Sequence, residues 1–223
     1  MTLQERETLS DRVVVLLGSR FSPFVRKVRV VLAEKGIECE VRELEIASDQ
    51  SPVFAYNPLG KIPCLIAENL GMPDPVYDSS VIVEFLDVVC ANPQMYPTAP
   101  MERVRVRRIE ALADGILDAG VLARTELVER AEGLRDPRWA GRQMKKMRSG
   151  VDALAEALGD NAYFCGEALT IADYSVCVAL AWLHFRFPEL AWSTYHANLQ
   201  RLFAEVNSRP SFVLTALCLS AKC

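Results

Sequence analysis

The stretch RVVVLLGSRFSPFVRKVRVVLAEKGI, residues 12–37, decides how the chain begins to fold. RVVVLLG is a short apolar run rich in β-branched residues and closed by Gly18, the pattern of a strand buried on both faces. After Ser22 and Pro23 the period changes. Phe24, Val28, Val31 and Leu32 form an apolar face, Arg26, Lys27, Arg29 and Glu34 point elsewhere, and Gly36 supplies a stop, which predicts a helix of about three turns. ECEVREL (38–44) then alternates as a half-buried strand does. The opening unit is β-α-β.

Downstream, residues 47–60 are polar and turn-rich, with Pro52 and NPLG (57–60). IPCLIAE (62–68) reads as a strand, PVYD (75–78) as a short one, and SSVIVEFLDVVCA (79–91) as a helix whose inward stripe is Val81, Ile82, Phe85, Leu86 and Val89. The order β-α-β-α-β-β-α makes a compact α/β unit of about eighty residues. ANPQMYPTAP (91–100) holds three prolines without periodicity and reads as a linker. Everything after it is helical in pattern. Residues 101–130 carry Leu112, Ile116, Ala119 and Ala123 at helical spacing. Gly115 and Gly120 in that stretch imply close packing or ligand space, since each costs about 1 kcal/mol relative to alanine. A second helix runs from Trp139 to Leu158. LTIADYSVCVALAWLHF (169–185) is the most apolar, with Thr170 as N-cap, Asp173 three residues on, and Leu169 placed to staple against Tyr174. HANLQRLFAEVNSRPSF (196–212) gives one more helix, followed by a short helical tail.

The totals bound the class. Of 223 residues, 51% are hydrophobic and 24% charged, with a net charge of −4; a disordered chain and a clustered nucleic-acid footprint are not expected. No apolar stretch approaches the roughly 20 residues of a membrane span. The polar start MTLQERETLSDR lacks the apolar core of a secretory signal, so a cytoplasmic protein with a frayed tail is expected. Seven cysteines form no CxxC pair and no Cys/His cluster, and His184 and His196 stand alone, so no metal site is expected. Thiols in apolar contexts, such as Cys64 and Cys177, read as small buried hydrophobes, with Cys223 as the exposed one.

Three places carry candidate chemistry. Ser22 ahead of Pro23 is what a helix start requires, because the hydroxyl caps an N–H group and proline lacks a donor that had no partner. The same geometry serves a second role: the positive end of a helix and an O–H donor stabilise an anion such as a thiolate. Ile62-Pro63 stands just before a strand, where a cis bond turns the Ile62 backbone outward toward an extended peptide. Asp78, Ser79 and Ser80 open a second helix, with N–H groups for a carboxylate and Asp78 for an ammonium; capping is the alternative there too.

SPFVRKVRVVLAEKGI, NPLGKIPCLI, DSSVIVEFLD and LTIADYSV, in this order, resemble the glutathione S-transferase superfamily over essentially the whole chain, with the serine-type SPF motif of bacterial and tau-class members. The terminal SRPSF is similar. The resemblance implies a thioredoxin-like, glutathione-binding domain over 1–91, a linker over 92–100, an all-helical domain over 101–223, and a homodimer. It implies that Ser22 activates the thiol of glutathione, that Ile62 ahead of cis Pro63 pairs with the cysteinyl unit, and that Asp78 and Ser79 hold the γ-glutamyl end. Lys61 aligns with a lysine near the tripeptide. The basic residue that relatives carry before the NP loop is replaced by Gln50. Thr170 and Asp173 match the family's capping box, a folding element. The thiolate then attacks a hydrophobic electrophile held near Ile109, Ala113 and Ile116, a detoxifying conjugation. Arg26 reads as a solvated arginine, and Arg103 to Arg108 as a solvated or ion-paired helix face. Two other readings stand beside the transferase: a thiol reductase, which needs a cysteine where Ser22 is, and a glutathione- or partner-binding protein without turnover.

Overall fold

The computed structural model describes residues 14–44, 46, 48 and 50–216. The expectations for the N-terminal tail and for Cys223 lie outside the described residues. Contacts divide the described chain into residues 14–95 with 214–216, and residues 96–213. The division thus falls after Met95, inside the stretch read as a linker, and Met95 and Tyr96 are buried rather than open chain.

The first unit is built from β1 (Val14–Gly18), α1 (Pro23–Glu34), β2 (Cys39–Glu43), β3 (Cys64–Ala67), β4 (Met72–Val76) and α2 (Ser79–Val89). The sheet order is β2-β1-β3-β4, with β2 parallel to β1 and with β3 and β4 each antiparallel to its neighbour. This is the thioredoxin-like α/β arrangement expected. The helix between β2 and β3 shrinks to a 3₁₀ turn, Pro52–Ala55, because its segment has turn residues and no helical period.

Val14, Leu16 and Leu17 of β1 are buried, as a strand at the centre of a sheet requires. Gly18 ends the strand where a Cβ would stand 2.4 Å from Val25 Cγ2, so only glycine lets α1 approach this closely. Gly36, at φ +64°, ends the helix. Two expectations for the helices are corrected. Arg26 and Lys27 are buried, at 3% and 1% exposure, because α1 is covered on more than its apolar face and the long stems pack as hydrocarbon. In α2 the buried stripe is Ser79, Ile82, Val83 and Leu86, while Val81 and Val89 are exposed. SSVIVEFLDVV is apolar nearly all round, so two stripes satisfy the helical period and the small Ser79 selects the one used.

Lys35 closes the unit. Its ammonium, fully buried, meets Asp87 Oδ1 at 2.9 Å and the carbonyls of Cys90 and Pro93 at 2.5 and 2.8 Å. Asp87 Oδ1 also accepts from the N–H of Met95 at 2.8 Å.

The second unit holds α3 (Pro100–Arg124), α4 (Pro137–Leu158), α5 (Ile171–Arg186), α6 (Trp192–Tyr195), α7 (Ala197–Asn207) and α8 (Pro210–Leu214), which reaches its boundary. α3 packs on both α4 and α5. Gly120 makes the second contact close, since a Cβ there would lie 2.5 Å from Trp182, whereas Gly115 faces nothing within 4 Å. The run Arg103 to Arg108 is not uniformly solvated: Val106 is buried, and the Arg103 and Arg107 guanidinia lie 4.7 and 5.4 Å from the centroid of the Tyr96 ring. No helix among the described residues is long and apolar enough to cross a membrane.

Candidate functional site

Strand register assembles the site. Leu17 of β1 pairs with Cys64 of β3, and Leu65 pairs with Val76 of β4. The segments 19–22, 61–63 and 77–79 therefore leave the sheet at one end, although up to sixty residues separate them in sequence.

Ser22, half-buried, caps α1: its Oγ accepts from the N–H of Val25 at 3.3 Å. A hydroxyl has one proton and two lone pairs, and this bond uses a lone pair. Capping and donation to an anion are thus compatible, and the two roles read from the sequence are not alternatives.

Asp78 caps α2 in the same way but with one oxygen. Oδ1 accepts from the Ser80 N–H at 3.1 Å, the Ser80 hydroxyl at 2.6 Å and the Val81 N–H at 3.5 Å. Oδ2 has no hydrogen-bond partner among the described residues. Partial burial pulls the Asp78 carboxyl upward, but the Ser80 hydroxyl, the two N–H groups and the nearby Lys27 charge outweigh it and hold the group below its ordinary value. An ionised carboxylate with a spare oxygen can receive an ammonium. Ser79, the first residue of α2, is buried beside it.

The Ile62–Pro63 bond is cis, and β3 begins only at Cys64, so the Ile62 backbone lies outside the strand ladder. The preceding loop is held by Asn57, which is buried, donates from Nδ2 to the Lys61 carbonyl at 2.9 Å and accepts at Oδ1 from the Leu59 N–H at 3.0 Å. The Lys61 side chain is exposed.

Two contributors escaped the sequence reading. Lys27 carries positive charge toward Asp78 from a face of α1 taken as solvated, and its i,i+3 and i,i+4 neighbours Val30 and Val31 are buried, a spacing that signals its position. Asn57 reads as an ordinary turn residue; an asparagine two residues before a backbone N–H that it can accept is its only signal.

Ile109, Ala113 and Ile116 are brought together, but within the helical unit's buried set, at 4%, 0% and 2% exposure. A Cβ added at Gly150 of α4 would lie 2.5 Å from Ile116 Cγ1, so packing alone accounts for that isoleucine. Burial pushes the Cys39 and Cys64 thiols up to about 11 and raises Cys165 as well, which disfavours the nucleophilic thiolate at these three.

Family models for the glutathione S-transferase N-terminal and C-terminal domains match residues 21–89 and 119–205. The uncharacterised GST-like protein YibF of Escherichia coli K12 is 36% identical over 201 residues, covering 90% of this chain and 96% of that one. A glutathione S-transferase of Methylobacillus flagellatus, crystallised with glutathione bound, superposes with a TM-score of 0.86 at 38% identity over 92% of this chain and 100% of its own. One from Methylobacterium radiotolerans, in complex with glutathione sulfonate, gives 0.84 and 34% over 95% and 99%.

Proposed function

The chain belongs to the glutathione S-transferase superfamily, and from that premise we propose that it binds glutathione at the sheet end formed by Ser22, Ile62 and Asp78 and ionises its thiol for attack on an electrophilic small molecule. The observation that carries this reading is the register, which brings a hydroxyl donor, a backbone segment outside the ladder and a carboxylate with a free oxygen to one end of one sheet.

Each part of the tripeptide meets a matching group. The γ-glutamyl ammonium goes to Asp78 Oδ2, and the adjoining carboxylate to Ser79 at the positive end of α2. The cysteinyl backbone pairs with Ile62, and Lys61 stands toward the glycine end. The thiol lies at the start of α1, where the Ser22 O–H donates to the sulfur while its lone pair keeps the cap. A free thiol has a pKa near 8.5, and about 2.7 kcal/mol of stabilisation of the thiolate lowers it by about two units. The thiolate forms a carbon–sulfur bond to the electrophile, and the leaving group departs with its electron pair.

The raised pKa values of Cys39 and Cys64, and serine at position 22, weigh against a thiol reductase. Exposed Phe54, Leu59 and Val88 on the first unit support a homodimer, which we include in the proposal with a cytoplasmic, detoxifying role. Ultraviolet titration of glutathione bound to wild type and to Ser22→Ala tests the mechanism. Wild type should lower the thiol's pKa by about two units and Ser22→Ala should restore most of it; equal values in both proteins would remove Ser22 from the chemistry. Binding without conjugation of any aromatic halide would identify a binding protein instead.

A further inference from the structure

A pocket lies wholly within the helical unit, with a volume of about 290 Å³. One wall is α4, which presents Arg148, Val151 and Asp152 at i, i+3 and i+4 and so on one face. The opposite wall is the corner before α7, with Leu190, Trp192 and His196. Ala191 between the first two of these adopts φ +48°, the one non-glycine residue with positive φ among the described residues, and this turns Leu190 and Trp192 onto the same space.

We propose that this pocket binds a small aromatic carboxylate. The chemistry of its walls selects that class. Val151, Leu190 and Trp192 are nearly buried and form an apolar floor. The Trp192 indole N–H already donates to the Leu180 carbonyl at 3.1 Å, and its ring meets Phe203 edge-on at 5.2 Å, so it offers a fixed hydrophobic surface rather than a donor. Tyr195, 74% exposed, adds a second ring at the rim. Asp152 Oδ1 lies 3.0 Å from His196 Nε2, a contact that joins the two walls, and the Asp152 side chain is 68% exposed to solvent. Arg148, one turn earlier, faces the pocket with no ion-pair or hydrogen-bond partner among the described residues, a planar fork suited to a carboxylate. The field of α4 agrees, since Arg138, Arg142, Lys145, Lys146 and Arg148 stand against only Asp152 and Glu156 in PRWAGRQMKKMRSGVDALAEAL. The volume is just below the ~300–1,000 Å³ typical of ligand pockets, which limits the guest to about one ring and a short acidic arm.

The test uses 4-(trifluoromethyl)phenylacetate and its neutral amide with the full chain, followed by fluorine NMR and calorimetry. Wild type should saturate with the acid at or below about 1 mM. Arg148→Gln, an exposed substitution whose unchanged thermal midpoint certifies the fold, should weaken the acid by about tenfold and leave the amide unaffected. Val151→Trp, which fills the floor, should abolish both. The proposal is overturned by an acid that does not saturate, by equal acid affinity in wild type and Arg148→Gln, or by displacement of the probe with S-methylglutathione, which would place it at the glutathione site.

Discussion

Helix starts that look alike in sequence are used in opposite ways in the two units. At α5, in the helical unit, Asp173 is fully buried: Oδ1 accepts from the Phe164 N–H at 2.9 Å, and Oδ2 accepts from the Thr170 N–H at 2.8 Å and from its hydroxyl at 3.0 Å. Both oxygens are committed to the chain itself. At α1 and α2, in the sheet unit, the capping groups are less buried and each keeps something back, the proton of Ser22 and Oδ2 of Asp78. A cap whose capacity is exhausted holds a fold together; one with spare capacity at a sheet end can hold a ligand.

The largest effect should come from breaking the committed cap. Asp173→Ala leaves the part-buried N–H of Phe164 and the buried N–H of Thr170 unpaired and should cost about 3 kcal/mol of stability, read from urea midpoints. The thiol acidity of glutathione bound to the folded fraction should not move; if it did, the contrast between the two kinds of helix start would fail. Next in size, Ser22→Ala should lower kcat/KM for conjugation by about 100-fold while costing only about 1 kcal/mol of stability through the lost cap. A stability loss without a kinetic one would move Ser22 into the same class as Asp173.

Asp78→Asn sharpens the comparison, because asparagine caps as well as aspartate but carries no charge. Calorimetry should show glutathione affinity about tenfold weaker, with the thermal midpoint nearly unchanged. The smallest effect concerns acid. The folded Asp78 carboxyl titrates below its unfolded counterpart, so its stabilising contribution is complete above the ordinary carboxylate value near 3.9 and is lost as pH falls through the lowered value. Urea midpoints followed from neutral pH downward should therefore fall less steeply below about pH 4 in Asp78→Asn than in wild type; parallel curves would show that the depressed carboxyl does not contribute to stability.

Much of this was legible in the chain itself. Period changes at Ser22, Ser79 and Thr170 locate the helices, Gly18 and Gly36 bound the first of them, and the order of four motifs identifies the superfamily, because strands, helices and caps obey local rules that neighbouring residues carry. The face of α2 was not legible, since a helix apolar on nearly every side fits two stripes equally well. Nor was the burial of Lys27, whose charge suits solvent in the sequence but acts on an Asp78 distant in the chain once folded.

What the sequence determined alone is therefore the inventory of elements and of groups able to cap, donate or carry charge. The tertiary structure decided which of those groups remain unspent. Pairing of Leu17 with Cys64 and of Leu65 with Val76 places Ser22, Ile62 and Asp78 at one sheet end, and packing at Gly150 accounts for the burial of Ile116 in the helical core. The reason is physical: a hydrogen bond between near neighbours is written in their spacing, whereas the partner of a strand, or the neighbour of a buried charge, is set by chain segments that meet only when the hydrophobic core closes.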